Sequence, residues 1–269
     1  NNRPVFMGGD RKAIFFDIDE TLISKNHPQI SDGVVNALKC LREKGIKLFI
    51  ASGRHALEIE ELGINDKFIF DGYLTLNGGY CYNQKEVIYK NPINKEDIAR
   101  IVSYISEHNL ACSFVESNDL YVNLVNDYVV EAQKSINTSI PPVKDAKRAL
   151  ENDVYQVNPF VGEEDVIKLT AELENCKYTK WHDGAYDLIA KNGGKQEGIK
   201  AVLKYYGIKL EETMAFGDGH NDVDMLKLVG IGVCMANGHP ETIACSDYVT
   251  DTVENDGIVS ALKHFKLID

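Results

Sequence analysis

The sequence predicts an α/β protein in which a doubly wound parallel sheet is interrupted by a second, smaller α+β domain. Apolar strands alternate with amphipathic helices at the start of the chain and again near its end, which is the order of βαβ units. Between these parts, the strands resemble antiparallel pairs interspersed with helices. We therefore expect a discontinuous core of residues 1–83 and 187–269 and an inserted α+β domain of residues 84–186.

The first βαβ unit begins with the apolar strand Ile14-Phe15-Phe16. A helix should follow, with Ser31 as its N-cap and Gly45 as its stop. A second apolar strand at 47–51 runs into the tripeptide at 52–54. Because the two strands flank one helix, they should be parallel neighbours.

The remaining elements continue these two patterns. The C-terminal part is expected to contain a helix at 195–206, strands at 213–217, 231–236 and 248–250, and a closing helix around 258–265. The insertion is expected to contain helices at 94–109, 127–137 and 163–176, strands at 111–115, 121–125 and 154–161, and an extended stretch at 178–190. The glycine pairs at 78–79 and 193–194 flank it and are expected to serve as hinges.

The composition argues against several functional classes. A formal net charge of −12 is unfavourable for a non-specific nucleic-acid binder and for adhesion to an anionic membrane. The six cysteines show no CxxC pair, which is typical of reduced thiols in the cytoplasm. No apolar run approaches the roughly 18 residues that span a bilayer, and residues 1–10 lack the apolar segment of a signal peptide. We expect a cytoplasmic monomer without an obligate protein partner.

Two acidic clusters directly follow apolar strands. Asp17 and Asp19 come after the first strand, and their i, i+2 spacing in extended chain projects both side chains to one side. Asp218, Asn221 and Asp222 follow the strand at 213–217. Carboxylates crowded at buried strand tips repel one another unless a divalent cation or a proton-transfer role compensates. The alternative for each cluster is a surface turn with solvated acids, but the repetition of the pattern favours one shared cation.

Other polar groups are expected at the same edge of the sheet. In open α/β sheets, ligands bind beyond the carboxyl ends of the strands. Ser52, Gly53 and Arg54 would add a hydroxyl, a backbone amide and a cation there. This set suits a phosphoryl group beside Mg²⁺, which prefers oxygen ligands. Asp17, Asp218 and the main-chain carbonyl of Asp19 are the expected ligands.

Lys195 is the expected cation for the phosphoryl group. It opens a helix directly after the glycine pair, and a helix N-terminus itself attracts anions. A solvated lysine at a helix start is the commoner fate of such a residue. Lys191 is a weaker competitor for the same role.

At these residues the chain resembles the haloacid dehalogenase-like (HAD) phosphohydrolases, whose core is a Rossmann-like sheet. The segment 17–21, Asp-Ile-Asp-Glu-Thr, resembles their first motif, Ser52 the second, Lys195 the third and the segment 217–222 the fourth. The insertion between the second and third motifs resembles the subfamily IIB cap of Cof-type phosphatases, and among these the hexose phosphate phosphatases. One departure is Glu20, where the family usually has glycine or another small residue.

The resemblance implies a Mg²⁺-dependent phosphatase of small phosphorylated molecules. It implies that Asp17 is the nucleophile that forms an aspartyl-phosphate and that Asp19 is the acid and base. By the same resemblance, the phosphoryl group is held by Ser52, Gly53, Lys195 and Asn221, the metal by Asp17, Asp19 and Asp218, and the site is supported by Asp222 and Arg54. A phosphohexomutase-type phosphotransferase and a non-catalytic phosphate-binding regulator are the two alternatives.

The cap residues that contact the leaving group should be polar or aromatic if the substrate is a sugar phosphate. Sugars require many donors and acceptors beside an aromatic surface. The candidates are Glu116, Tyr121, Asn123, Gln156, Trp181, His182 and Asp183.

Overall fold

The computed structural model describes residues 10–269. The expectations for residues 1–9, including the lack of a signal peptide, lie outside the described residues. The strands are, in chain order, β1 (Ala13–Phe16), β2 (Lys47–Ala51), β3 (Gly72–Thr75), β4 (Tyr80–Tyr82), β5 (Val87–Lys90), β6 (Ala111–Val115), β7 (Leu120–Val122), β8 (Gln156–Phe160), β9 (Cys176–His182), β10 (Ala185–Ala190), β11 (Thr213–Gly217), β12 (Ile231–Cys234) and β13 (Tyr248–Val249). The α-helices are α1 (Asp32–Glu43), α2 (Ala56–Glu61), α3 (Ile64–Lys67), α4 (Lys95–His108), α5 (Asp127–Ser135), α6 (Glu163–Ala171), α7 (Lys195–Tyr206), α8 (Val223–Leu228), α9 (Pro240–Cys245) and α10 (Gly257–His264).

The larger sheet has the strand order β13-β12-β11-β1-β2-β3-β4-β5. The strands from β13 to β3 are parallel, and β4 and β5 add an antiparallel edge. Strand β1 lies in the middle, with Ile14 level with Leu48 of β2 and Met214 of β11. The doubly wound α/β fold predicted from the sequence is confirmed.

Both faces of this sheet are apolar, as expected for parallel strands that are covered by helices on both sides. On one face, Phe16 stacks on Phe216 with ring centroids 5.2 Å apart, in the apolar cluster that also includes residues of α1 and α10. On the other face, Phe15 stacks on Phe49 at 5.0 Å, among residues of α7 and α8. The rigid sheet fixes where each strand ends, and therefore where the acidic clusters lie.

The smaller sheet is antiparallel and has the order β7-β6-β8-β10-β9. One of its faces packs on α4 and α6, with Phe114 and Leu188 in the same apolar cluster as Ile101 and Leu169. The opposite face carries polar side chains toward the strand tips of the larger sheet, where Gln156 Nε2 donates to the carbonyl of Gly53 at 3.0 Å.

The boundaries predicted for the insertion place two strands in the wrong domain. Strand β5 pairs with β4 in the larger sheet, although residue 84 was expected to begin the inserted domain. Strand β10 lies in the smaller sheet, although residue 187 was expected to return to the core. The expected single stretch at 178–190 is a hairpin of β9 and β10, turned at Gly184 with a φ of 76°. A short antiparallel hairpin gives the same local pattern in either sheet.

We propose that the inserted domain, called the cap below, comprises residues 91–193, and that the core comprises the other described residues. The two connections touch where they cross. Asn91 Nδ2 donates to Asn192 Oδ1 at 3.2 Å, and a Cβ atom on Gly78 would lie 2.4 Å from the carbonyl oxygen of Gly194. The two glycine pairs thus lie together, and their role as hinges stays a prediction.

Two structural features relate to the predicted location, the helices and the cysteines. Among residues 10–269, no helix combines the length and apolar character needed to cross a membrane. Each of the six cysteines is a free thiol. The cytoplasmic location and the monomeric state stay predictions.

Candidate active site

The acidic clusters meet at the carboxyl edge of the larger sheet. Asp17 directly follows β1, and its backbone N–H donates to the carbonyl of Phe216 at 3.0 Å, so the pairing of β1 and β11 continues to the start of the site. Asp218 directly follows β11. Carboxylate oxygens of Asp17, Asp218 and Asp222 all lie within 4.8 Å of one another, and all three residues are buried. The convergence expected from the sequence is therefore present in the structure.

Lys195 lies beneath these acids and is fully buried. Its Nζ donates to Asp17 Oδ1 at 2.9 Å and to Asp222 Oδ1 at 2.6 Å. Burial by itself would lower the pKa of Lys195, but the charges of Asp17 and Asp222 outweigh it, and the pKa is raised. The ammonium group thus stays charged. Lys191, the competing candidate, is exposed.

Burial and mutual repulsion disfavour the ionised forms of Asp17 and Asp218. Burial, followed by the charge of Asp222, raises the pKa of Asp17 to about 7, although Lys195 opposes the change. Burial and the charge of Asp17 also raise the pKa of Asp218 well above its usual value. Thr21 Oγ1 donates to Asp218 Oδ1 at 3.0 Å. Crowded, poorly solvated carboxylates of this kind fit a divalent cation, which would offset their repulsion.

Asp222 differs from the other two acids because the protein already uses both of its oxygens. Oδ1 accepts from Lys195, and Oδ2 accepts the backbone N–H groups of Asp218 and Gly219, each at 3.0 Å. Asp222 therefore fixes the position of the lysine and the shape of the loop. Asp17 and Asp218 are left as the carboxylates that face a common cation.

Asp19 lies outside this cluster and is held by Arg54. Arg54 Nε and Nη2 donate to the two carboxylate oxygens of Asp19 at 2.7 and 2.8 Å. The side chain of Asp19 is 38% exposed, whereas that of Arg54 is 5% exposed. Arg54 also donates to the carbonyl of Ile136 at 2.8 Å and to the hydroxyl of Thr138 at 2.5 Å, both on the cap. A single guanidinium therefore connects Asp19 to the cap.

Glu20 stands in a backbone conformation that favours glycine. Its φ is 60°, in the left-handed region, and its side chain is exposed beside the cleft. This geometry accounts for the small residue that the resemblance led us to expect there. Partial desolvation beside the cleft, followed by the charges of Glu254 and Asp19, raises the pKa of Glu20.

The second motif forms a tight turn after β2. Ser52 is buried, and its Oγ accepts the backbone N–H of Arg54 at 3.0 Å. A Cβ atom on Gly53 would lie 2.8 Å from Asp187 Oδ2, so a side chain at this position would crowd Asp187. Asn221 also lines the cleft, on the loop that carries Asp218. The structure thus brings together the core residues that the sequence predicted for the phosphoryl and metal sites.

Comparison with known proteins identifies the family. The family model of haloacid dehalogenase-like hydrolases matches residues 14–262. The chain belongs to this family. YkrA of Bacillus subtilis, whose name assigns it provisionally to the phosphatases, is 32% identical over 266 residues, which cover 96% of this chain and 99% of YkrA. The resemblance inferred from the motifs is confirmed.

Solved structures of HAD hydrolases agree with the fold. A subclass IIB sugar phosphatase is 37% identical, with a TM-score of 0.86, and the match covers 96% of this chain and 100% of that chain. A phosphatase of the superfamily from Bacteroides thetaiotaomicron is 33% identical, with a TM-score of 0.87, over 96% of each chain.

In this HAD hydrolase, a cleft of about 330 Å³ separates the strand tips from the polar face of the cap sheet. Of the seven cap residues proposed from the sequence, Gln156, Trp181 and His182 line it. The other four do not line it and have other contacts: Glu116 pairs with Arg148, Tyr121 is buried against the cap helices, Asn123 bonds the backbone of Cys112 and Leu110, and Asp183 pairs with Lys180. For these four the prediction is wrong.

Sequence reasoning missed a polar row on the cap sheet. Ser113, Asn158, Asp187 and Thr179 lie on neighbouring strands at matching register, and all four line the cleft. Ser113 Oγ donates to Asn158 Oδ1 at 2.8 Å, and Asn158 Nδ2 donates to Asp187 Oδ1 at 2.6 Å. Alternation along each strand could have grouped them by face, but not shown which face meets the core.

Proposed function

We propose that this hydrolase is a Mg²⁺-dependent phosphatase of small phosphomonoesters, hexose phosphates foremost, acting through an aspartyl-phosphate intermediate. The observation that carries the proposal is the setting of Asp17. Its carboxylate lies at the tip of the central strand, 2.9 Å from the buried ammonium of Lys195, and lines the cleft below the cap. The similar sugar phosphatase supports the choice of substrate class.

Asp17 is the nucleophile in this mechanism. One of its carboxylate oxygens attacks phosphorus, and the bond from phosphorus to the ester oxygen breaks, with the electron pair leaving on that oxygen. Water then attacks the phosphorus of the aspartyl-phosphate, which releases inorganic phosphate and restores the carboxylate. Lys195 favours the ionised, attacking form of Asp17 and so opposes the effect of burial.

Asp19 is the general acid and base. It gives a proton to the departing ester oxygen in the first step and takes one from the attacking water in the second. Arg54 donates hydrogen bonds to both oxygens of Asp19. These bonds limit the rotation of the carboxyl group and keep it directed into the cleft. Because the side chain is partly exposed, it can reach the leaving oxygen while Asp17 stays buried.

Asp17 and Asp218 would hold Mg²⁺, together with the main-chain carbonyl of Asp19. When bound, the ion offsets the repulsion between the carboxylates and the phosphoryl oxygens. Ser52, the Gly53 amide, Lys195 and Asn221 would hold the phosphoryl oxygens, and Asp222 would keep Lys195 in place.

The cap would bind the leaving group and exclude water. Gln156, Trp181 and His182 offer amide, indole and imidazole groups to the cleft. The polar row at Ser113, Asn158, Asp187 and Thr179 adds donors and acceptors that suit a polyhydroxyl leaving group.

The test is phosphate release from a panel of sugar phosphates, nucleotides and vitamin phosphates, with Mg²⁺ and with a chelator. The wild type should release phosphate with Mg²⁺, while Asp17→Asn should lose at least about a thousandfold in kcat because the nucleophile is lost. Asp183→Asn is the matched control, since its side chain is 94% exposed and outside the cleft. An isomeric sugar phosphate in place of free phosphate would identify a mutase, and phosphate binding without turnover would identify a regulator. Either outcome would refute the proposal.

A further inference from the structure

Asn77 occupies a junction that the mechanism above does not use. It is 3% exposed and follows β3. Its backbone N–H donates to the carbonyl of Ser52 at 2.9 Å. Its Nδ2 donates to Gln156 Oε1 and to Asp187 Oδ2, each at 2.8 Å, and its Oδ1 accepts from Asn221 Nδ2 at 2.9 Å. Both ends of the side-chain amide are thus hydrogen-bonded.

The partners of Asn77 come from parts of the molecule that have different roles. Ser52 directly follows β2, and Asn221 lies on the loop that carries Asp218. Gln156 and Asp187 belong to the cap strands β8 and β10. One buried asparagine, through its backbone N–H and its side-chain amide, therefore joins both phosphate-side segments of the core to the cap sheet.

The cap partners determine which way the amide of Asn77 points. Gln156 donates its Nε2 to the carbonyl of Gly53, so its Oε1 is the end that faces Asn77. Asp187 accepts at both carboxyl oxygens, from Asn77 Nδ2 at Oδ2 and from Asn158 Nδ2 at Oδ1. Both contacts therefore require the NH₂ end of Asn77 to face the cap. The carbonyl end is left for Asn221, which must turn its own NH₂ end toward Asn77 and its Oδ1 away from it.

The backbone around Asn77 is conformationally strained. Leu76, Asn77 and Gly78 have φ values of 54°, 55° and 83°, so three successive residues lie in the left-handed region. Non-glycine residues rarely adopt this conformation, and asparagine is among those that tolerate it. Strain of this kind persists where the surroundings determine the position, and it is common at functional sites.

We propose that Asn77 is a positioning residue that couples the seating of the cap to the orientation of Asn221 beside the phosphoryl group. With the cap seated, Gln156 and Asp187 fix the amide of Asn77, and Asn77 fixes Asn221. With the cap displaced, the NH₂ end of Asn77 loses both acceptors, and its amide is free to rotate. Asn221 then no longer faces a fixed carbonyl oxygen. The phosphoryl site is then fully ordered only when a leaving group has allowed the cap to seat. This inference rests on the proposed function of the site.

The test is a double-mutant cycle. It measures whether the effects of two substitutions on kcat depend on each other when the two residues share no hydrogen bond. Asp187 and Asn221 are linked through Asn77 and not directly. The variants are Asp187→Ala, Asn221→Ala and their double, each made in the wild type and in Asn77→Gly. Glycine retains the left-handed backbone while removing the amide. Asn109→Gly is the matched control, because Asn109 also has a positive φ, 51°, but lies exposed at the end of α4.

We expect Asn77→Gly to lower kcat for a hexose phosphate at least tenfold with KM changed less than threefold, and Asn109→Gly to leave both unchanged. The losses from Asp187→Ala and Asn221→Ala should be non-multiplicative in the wild type and should multiply in the Asn77→Gly background. Multiplicative losses in both backgrounds, or a kcat of Asn77→Gly within twofold of wild type, would overturn the coupling. Thermal melts of each variant identify losses that arise from unfolding.

A second readout separates this inference from the proposed function. The affinity for inorganic phosphate, measured by calorimetry with Mg²⁺ in the same variants, needs no turnover and should show the same dependence on Asn77. If the wild type binds phosphate but hydrolyses nothing, the proposed function fails and the phosphate affinities still decide the coupling. If the wild type binds no phosphate, the coupling is refuted as well.

Discussion

Replacing Lys195 by methionine should destabilise the protein strongly, because it removes the ammonium from a buried triad. The ammonium forms ion pairs with Asp17 at 2.9 Å and with Asp222 at 2.6 Å, and the side chains of Lys195, Asp17 and Asp222 are 0%, 9% and 0% exposed. Methionine has nearly the same length and fills the same space. The change in stability therefore measures the missing charge rather than a cavity.

The expected magnitude follows from the burial of the partners. Removing one member of a buried ion pair typically costs about 3–5 kcal/mol, because the remaining charge has neither water nor a partner. The free energy of unfolding of a typical domain is about 5–15 kcal/mol, so this loss is about a fifth or more of the total. The cost should shrink as pH falls toward about 5, since protonation of the stranded carboxyl groups removes the unpaired charges.

The assay is denaturant unfolding near pH 7.5 in a chelator, with Lys168→Met as the control. Lys168 pairs with Glu164 at 2.9 Å, but the two side chains are 60% and 82% exposed. Such a surface pair adds little to stability, because water screens both charges. A loss below about 1 kcal/mol for Lys195→Met, similar to that of the control, would show that the buried triad is not held together by its charges.

Other predictions concern metal, protons and the leaving group. Mg²⁺ at a hundredfold excess over its Kd should stabilise the wild type by about 2.7 kcal/mol and Asp218→Asn much less; an equal shift in thermal melts would remove Asp218 from the metal site. Burial raises the pKa of Asp187 to about 7, so the native state retains a proton that the unfolded state releases, and stability falls as pH rises from about 4 to about 7. The unfolding free energy should therefore drop less between pH 5 and pH 8 in Asp187→Asn than in the wild type, by about 2.5 kcal/mol, and equal drops would contradict the buried proton. Asp19→Asn should slow hydrolysis of alkyl phosphates more than of aryl phosphates, since only the alkoxide needs a proton on leaving; matched losses of kcat would argue for a positioning role.

Much of the core and its site can be predicted from the sequence because both depend on local patterns. An apolar strand that ends in an acid marks its own carboxyl edge, and a parallel sheet gathers these edges together. Asp17 and Asp218 are adjacent for this reason, although about two hundred positions separate them. Lys195 could be inferred from its place after the glycine pair.

The junction between core and cap is much harder to predict from local patterns. Strand β5 has the same alternation whether it joins the larger sheet or the insertion, so residue 84 could not be recognised as part of the core. Tyr121 is polar at one end and aromatic, but its ring belongs to the apolar core of the cap. The Asn-Gly-Gly sequence that begins at Asn77 is typical of a turn with positive φ, so its backbone conformation could be predicted. Its four partners come from distant strands and loops, and only the tertiary structure shows them.

The contact between Asn91 and Asn192 has a consequence for how such a molecule can be re-engineered. An insertion whose two ends are adjacent can be excised and replaced by a tight turn without parting the strands on either side. The acids, the lysine and the serine of the site all lie outside residues 91–193, so the chemical centre and the selective cover are encoded in separable stretches of the gene. A chimera that carries a foreign cap between these two asparagines should keep the phosphoryl chemistry and acquire the donor's choice of leaving group.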